Sequence, residues 1–111
     1  MYTYTIEENN LLYQVVQLTA QEINPFDLEE FFSKHEYSKI IIQNVGIFYH
    51  RYNLFHNEFG PSIIFQNVRY DKPGENLGYH INGKQLKEKI FNRYKKLQHL
   101  NSNINDIPNN L

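Results

Sequence analysis

Ile23-Asn24-Pro25-Phe26-Asp27-Leu28-Glu29-Glu30-Phe31-Phe32-Ser33-Lys34-His35 reads as a helix and runs straight into Tyr37-Ser38-Lys39-Ile40-Ile41-Ile42, which reads as a strand. Asn24 is a good N-cap, and Pro25 suits the first helical position, where its missing N–H costs nothing. Asp27 places a negative charge in the first turn, where the helix dipole favours it. Ile23 and Leu28 are spaced for a hydrophobic staple across the cap. Leu28, Phe31, Phe32 and His35 fall at i, i+3, i+4 and i+7, a single stripe facing a core. The three consecutive isoleucines that follow fit a strand buried on both faces. A helix beside a buried strand makes the chain α+β.

Upstream, Tyr2, Tyr4 and Ile6 alternate with Thr3 and Thr5, the period of a strand built from good strand formers. Glu8-Asn9-Asn10 signals a turn, and Leu11–Leu18 is a second apolar run, so residues 2–18 are expected to form a β-hairpin. Downstream, Asn44-Val45-Gly46, Gly60-Pro61, Asp71–Asn76 and Asn82-Gly83 punctuate short strands over 47–53, 62–66 and 77–81. From Lys84 the period becomes helical, with Leu86, Ile90, Tyr94 and Leu97 on one face and Phe91 beside them. The expected fold is a compact α+β domain over residues 1–100. It has an antiparallel sheet, made of an N-terminal hairpin plus a meander, and helices near 25–35 and 84–98. Residues 101–111 are Asn-rich with little apolar content and read as a flexible tail.

The 111 residues suffice for one domain with a modest core. Nine Tyr and eight Phe, with no Trp, supply most of its bulk. Tyr serves both a core and a contact surface, because its ring is apolar and its tip polar. The absence of Cys removes disulfides, thiolate zinc sites and Cys nucleophiles together. No apolar run is long enough to span a bilayer, and the N-terminus lacks the basic and apolar regions of a secretory signal. A cytoplasmic location, the host cytoplasm for a viral protein, is the expectation.

The net charge of −1 hides an uneven distribution. Residues 1–36 hold seven acids against Lys34 alone, a net −6, while residues 37–111 hold ten bases and five acids, a net +5. Lys84, Lys87, Lys89, Arg93, Lys95 and Lys96 concentrate the positive charge on the C-terminal helix, with Glu88 the only acid among them.

No phosphate loop, dinucleotide fingerprint or Gly-x-Ser-x-Gly elbow is present. His35-Glu36 is not completed to the metalloprotease His-Glu-x-x-His. His50, His80 and Glu58 form the only plausible acid–base or ligand group, but they lack the tight local spacing of most metal sites. No catalytic residue, metal or cofactor is therefore expected, and the histidines are assigned to hydrogen bonding.

Tyr49-His50-Arg51-Tyr52-Asn53 stands thirty residues before Tyr79-His80-Ile81-Asn82-Gly83. With His56, Gly60-Pro61-Ser62 and Ile63-Ile64-Phe65, the block over residues 47–86 resembles short repeats of many phage and giant-virus proteins. Those read aromatic–x–x–Asn-Gly-Lys–x–His, then Gly-Pro-Ala and an aliphatic strand. They are similar to MORN repeats, hairpin units that stack into an elongated sheet. Asn82-Gly83-Lys84 carries the turn of the second copy. The first copy has Tyr52-Asn53-Leu54 in its place, and the second has Leu86 where those proteins have His. The resemblance implies one repeat embedded in a compact fold, and a phage or mobile-element origin.

The resulting expectation is a non-enzymatic protein-binding module that binds and blocks a host factor, for example an anti-CRISPR-type inhibitor of a defence nuclease. Tyr and Arg dominate interface hot spots, so the expected contacts are Tyr49, Arg51, Tyr52, Arg69, Tyr70, Lys87 and Arg93. The partner would be a host protein or nucleoprotein complex. The alternative is a nucleic-acid binder using the basic helix and the Arg/Tyr pairs. A homodimer is compatible with either, and no membrane is involved.

Overall fold

The two asparagines after the first strand both adopt left-handed backbone, Asn9 at φ 55° and Asn10 at φ 65°. Such a turn matches the right-handed twist of paired strands. It joins β1 (Tyr2–Glu8) to β2 (Leu11–Leu18), with Tyr4 opposite Val15 and Ile6 opposite Tyr13. The expected N-terminal hairpin is therefore present. The computed structural model describes residues 1–24, 26–66 and 75–105, the last seven by backbone alone.

From β2 the chain makes a short 3-10 turn (Ala20–Glu22), then α1 (Leu28–Lys34), and returns as β3 (Tyr37–Ile42). The return is a crossover, so β3 pairs β2 in parallel, with Val16 opposite Ile40. The expected sheet was wholly antiparallel, and this pair is the departure. The start of α1 also differs from the sequence expectation of residue 25. Asp27 is the N-cap, its Oδ1 accepting from the Glu30 N–H at 2.9 Å. A short carboxylate both accepts that bond and complements the helix dipole. Pro25 lies outside the described residues.

β4 (Gly46–Arg51) pairs antiparallel with β3 and with both β5 (Leu54–Phe55) and β6 (Ile63–Phe65); β7 (Leu77–Ile81) and β8 (Lys84–Leu86) follow. The result is a sheet-rich single domain. Its open, mostly antiparallel eight-stranded sheet has the order β1-β2-β3-β4-β6-β7-β8, with β5 attached to β4. Gly46 is required where β4 meets β6, because a Cβ there would drive into the Ile64 carbonyl oxygen.

Residues 84–86 were expected to be helical and are instead strand. Asn82 (φ 48°) and Gly83 (φ 83°) turn the chain back on itself and pair Ile81 with Lys84 and Tyr79 with Leu86. Helix α2 starts only at Glu88 and continues to Asn105. Residues 101–105, expected to begin a flexible tail, are thus helical, and 106–111 lie outside the described residues. The buried side of α2 also differs. Phe91 is buried against Tyr79, ring centroids 4.8 Å apart, while Ile90 and Leu97 of the expected stripe are exposed.

Two hydrophobic clusters lie on opposite faces of the sheet. Val16, Leu18, Ile40, Ile42 and Phe48 pack under α1, whose Phe32 is buried among them, with Ile23, Phe26, Leu28 and Phe31 around it. On the other face Tyr13, Val15 and Tyr49 are buried among Ile6, Leu11, Tyr37, Ile41, Ile47 and Ile64. Among the described residues every member of this second cluster is a strand residue.

Candidate interaction surface

The segments thirty residues apart fold alike. His50 pairs with Phe55 and Arg51 with Leu54; His80 pairs with Gln85 and Ile81 with Lys84. Tyr52 (φ 52°) and Asn82 (φ 48°) occupy the same left-handed turn position. The hairpins interlock: the Asn82 N–H donates to His56 Nδ1 at 2.8 Å, and the Gly83 N–H to the Phe55 carbonyl at 2.8 Å.

This interlock consumes the histidines. His50 stacks on Phe32 at 4.2 Å and leans on Phe55 at 4.6 Å. His80 Nδ1 lies 2.6 Å from Ser62 Oγ, the geometry of a base beside a hydroxyl nucleophile. Ser62, however, has no exposed surface, and its hydroxyl also donates to the Gly78 carbonyl at 3.2 Å. A hydroxyl sealed from solvent meets no substrate, so this pair is a structural contact. His56 Nε2 is 3.6 Å from a Glu58 carboxylate oxygen. Burial lowers the pKa of all three imidazoles, that of His50 to about 4. Among the described residues no three His, Cys, Asp or Glu side chains converge to hold a metal.

The surface with the strongest recognition chemistry is the face of the second cluster. Period-2 alternation in five strands aims Tyr2, Tyr4 and Ile6, then Tyr13 and Val15, then Tyr37, Lys39 and Ile41, then Ile47, Tyr49 and Arg51, then Ile64 to that side. Tyr13 meets Tyr37 and Tyr49 edge-on at 5.6 and 5.5 Å. Lys39 Nζ lies 5.1 Å above the Tyr49 ring and bonds Glu8 Oε1 at 3.1 Å. Arg51 lies 5.7 Å from the Tyr37 ring and is held by two bonds to Glu36 Oε2, at 3.0 and 3.1 Å. Desolvation raises the pKa of Tyr13, Tyr37 and Tyr49, so their hydroxyls stay protonated and able to donate. Burial also raises the pKa of Tyr94 on α2, with a smaller contribution from Glu58. At the β1 side a cleft of about 380 Å³ opens between Tyr2, Gln17, Ile41 and Gln43.

The residues expected to form contacts are scattered by the fold. Tyr49 is buried, so it packs the face rather than presenting itself. Arg51 borders the face. Tyr52 is exposed at the tip of the β4–β5 turn, and Lys87 and Arg93 are exposed around α2. Arg69 and Tyr70 lie outside the described residues. The tyrosine-lined face also holds Tyr2, Tyr4 and Tyr37, which the expected contact set omits. The alternation of Tyr2, Tyr4 and Ile6 was the available signal; what was missing was the other side of the sheet.

No protein-family model, no curated protein and no solved structure matches the chain.

Proposed function

We propose that the chain is a non-catalytic protein-binding module whose contact surface is the tyrosine-lined face of β1–β4. One observation carries the reading: among the described residues the second hydrophobic cluster is built by strands alone, with Tyr, Lys39 and Arg51 around its apolar centre. Tyrosine gives large contact area at low entropic cost, and Arg adds fixed hydrogen-bond geometry. The resemblance of residues 47–86 to repeats of phage proteins suggests the setting, in which a small binder acts by occluding a host protein, a defence nuclease among the candidates. The test is affinity for a partner captured from the host, measured for Tyr4→Ala and Arg51→Ala variants with a melting curve for each. A true hot spot loses about 2 kcal/mol of binding or more without a matching loss of fold. Undiminished affinity in both folded variants refutes the reading.

A second reading has its own support. Lys34, Lys39 and Arg51 each bond a carboxylate, whereas Lys84, Lys87, Lys89, Arg93 and Lys96 have no ion pair among the described residues. Lys89, Arg93 and Lys96 fall at i, i+4 and i+7, a ridge opposite buried Phe91. That ridge suits a phosphate backbone. Binding of this kind weakens steeply with salt and requires no protein partner, which separates it from the first reading.

A further inference from the structure

The two ends of the sheet are treated differently. At one end β8 is three residues long, carries Lys84 and leads into α2. Short, charged strands of this kind resist pairing with other chains. At the other end β1 is seven residues long and, among the described residues, pairs only with β2. Residues 2–6 of β1 hold no charge, no Pro and no Gly, and residues 2–5 are all exposed. Tyr2 is 72% exposed, and Leu12 on the neighbouring strand is 67% exposed. A strand in this position presents a row of solvent-facing backbone N–H and C=O groups, a template on which another strand can pair.

We infer that β1 pairs antiparallel with β1 of a second copy of this chain, joining two sheets into one. The self-complementarity of the strand selects this occupant. Pairing all seven residues places the two-fold axis at Thr5, the midpoint of Tyr2–Glu8. Thr5 then faces its counterpart, a favourable Thr–Thr pair, and Tyr4 faces Ile6, an aromatic–β-branched pair formed twice. Glu7 falls opposite Thr3 and Glu8 opposite Tyr2, so no two carboxylates oppose. The side-chain alternation keeps both tyrosine-lined faces on the same side, and each extends the cluster that Ile6 begins. The pairing stands whatever that face binds.

Sedimentation of the full chain over a range of concentrations tests the inference. The expected result is a reversible species of twice the 13.4 kDa chain mass. Thr5→Lys sets two ammoniums against each other on the axis and weakens the dimer roughly tenfold or more. Thr3→Lys sets an ammonium against the Glu7 carboxylate and leaves the dimer as tight or tighter. Circular dichroism checks that both variants keep the fold. Because the chain has no cysteine, a Thr5→Cys variant forms only intermolecular disulfides; mild oxidation is expected to link it, and a Leu12→Cys control on the second strand stays unlinked. A chain that remains monomeric up to its solubility limit overturns the inference. So does a dimer that Thr5→Lys leaves intact, or one in which Leu12→Cys crosslinks as readily as Thr5→Cys.

Discussion

His50 lies between the rings of Phe32 and Phe55 with its Nδ1 lacking a hydrogen-bond partner, so a proton there would be a buried charge among aromatic faces. Desolvation is the main cause of its low pKa of about 4, with His80 adding to it and a backbone bond at Phe48 opposing it. The unfolded chain takes up this proton near pH 6.5, the ordinary imidazole value. Between these two values the unfolded state binds more protons than the fold. The stability tied to His50 is therefore complete above pH of about 6.5 and drains as pH falls, reaching a loss of roughly 3 kcal/mol near pH 4. His56 and His80 are lowered in the same direction and deepen the loss. Urea unfolding at neutral and mildly acidic pH should show the midpoint fall with acid, and His50→Phe should flatten that dependence. The sequence offered Tyr-His twice at one offset, but nothing local told a ring-stacked histidine from a metal ligand. That difference lies in Phe32, eighteen residues upstream and on another element.

At the level of elements, Phe91 is the one buried side chain of α2 among the described residues. Phe91 is 1% exposed against Tyr79, while Ile90 is 44% exposed. Phe91→Ala is expected to cost about 3 kcal/mol or more, and Ile90→Ala under about 1 kcal/mol, both read from denaturant midpoints. Equal losses at the two positions would mean that the helix docks by another face. Helical character over 88–97 was readable from the period alone. The face was not: the helical period admits both a stripe of Ile90, Tyr94 and Leu97 and one centred on Phe91, which lies about a quarter turn away because successive helical residues point about 100° apart. The start of the helix was misread for a related reason: Lys84–Leu86 completes a hairpin whose Asn82-Gly83 turn outweighs the helical propensity of three residues.

Across the whole molecule, the apolar core is concentrated in β1–β4 and α1. All of its buried hydrophobic residues but Phe91 come from β2, α1, β3 and β4. The β6–β8 side is held instead by buried polar groups, with Ser62, His56, Asn57 and His80 bonded across the hairpins. Amides of β2 and β3 should therefore exchange with solvent only through global unfolding, and those of β8 and α2 through cheaper local opening. Hydrogen exchange followed by mass spectrometry would show this as two protection classes, and uniform protection would contradict it. Charge follows the same division: among the described residues, carboxylate-paired bases lie on the β1–β4 side, and those of α2 have no ion pair.

Much of what depends on neighbours along the chain was legible in the sequence. The β1–β2 hairpin follows from alternation around Asn9-Asn10, the buried place of β3 from Ile40-Ile41-Ile42, and the existence of both helices from their period. Only the tertiary structure decided what each face meets. The parallel pairing of β2 and β3, the burial of Tyr49 and the assembly of Tyr2, Tyr4, Tyr13 and Tyr37 on one side all depend on strands distant in sequence arriving in register. Backbone conformation is set by forces acting over a few residues, whereas burial is set by whichever surface arrives from elsewhere. Alternation announces that a strand has two faces, and packing alone determines that α1 covers one of them and that tyrosines line the other.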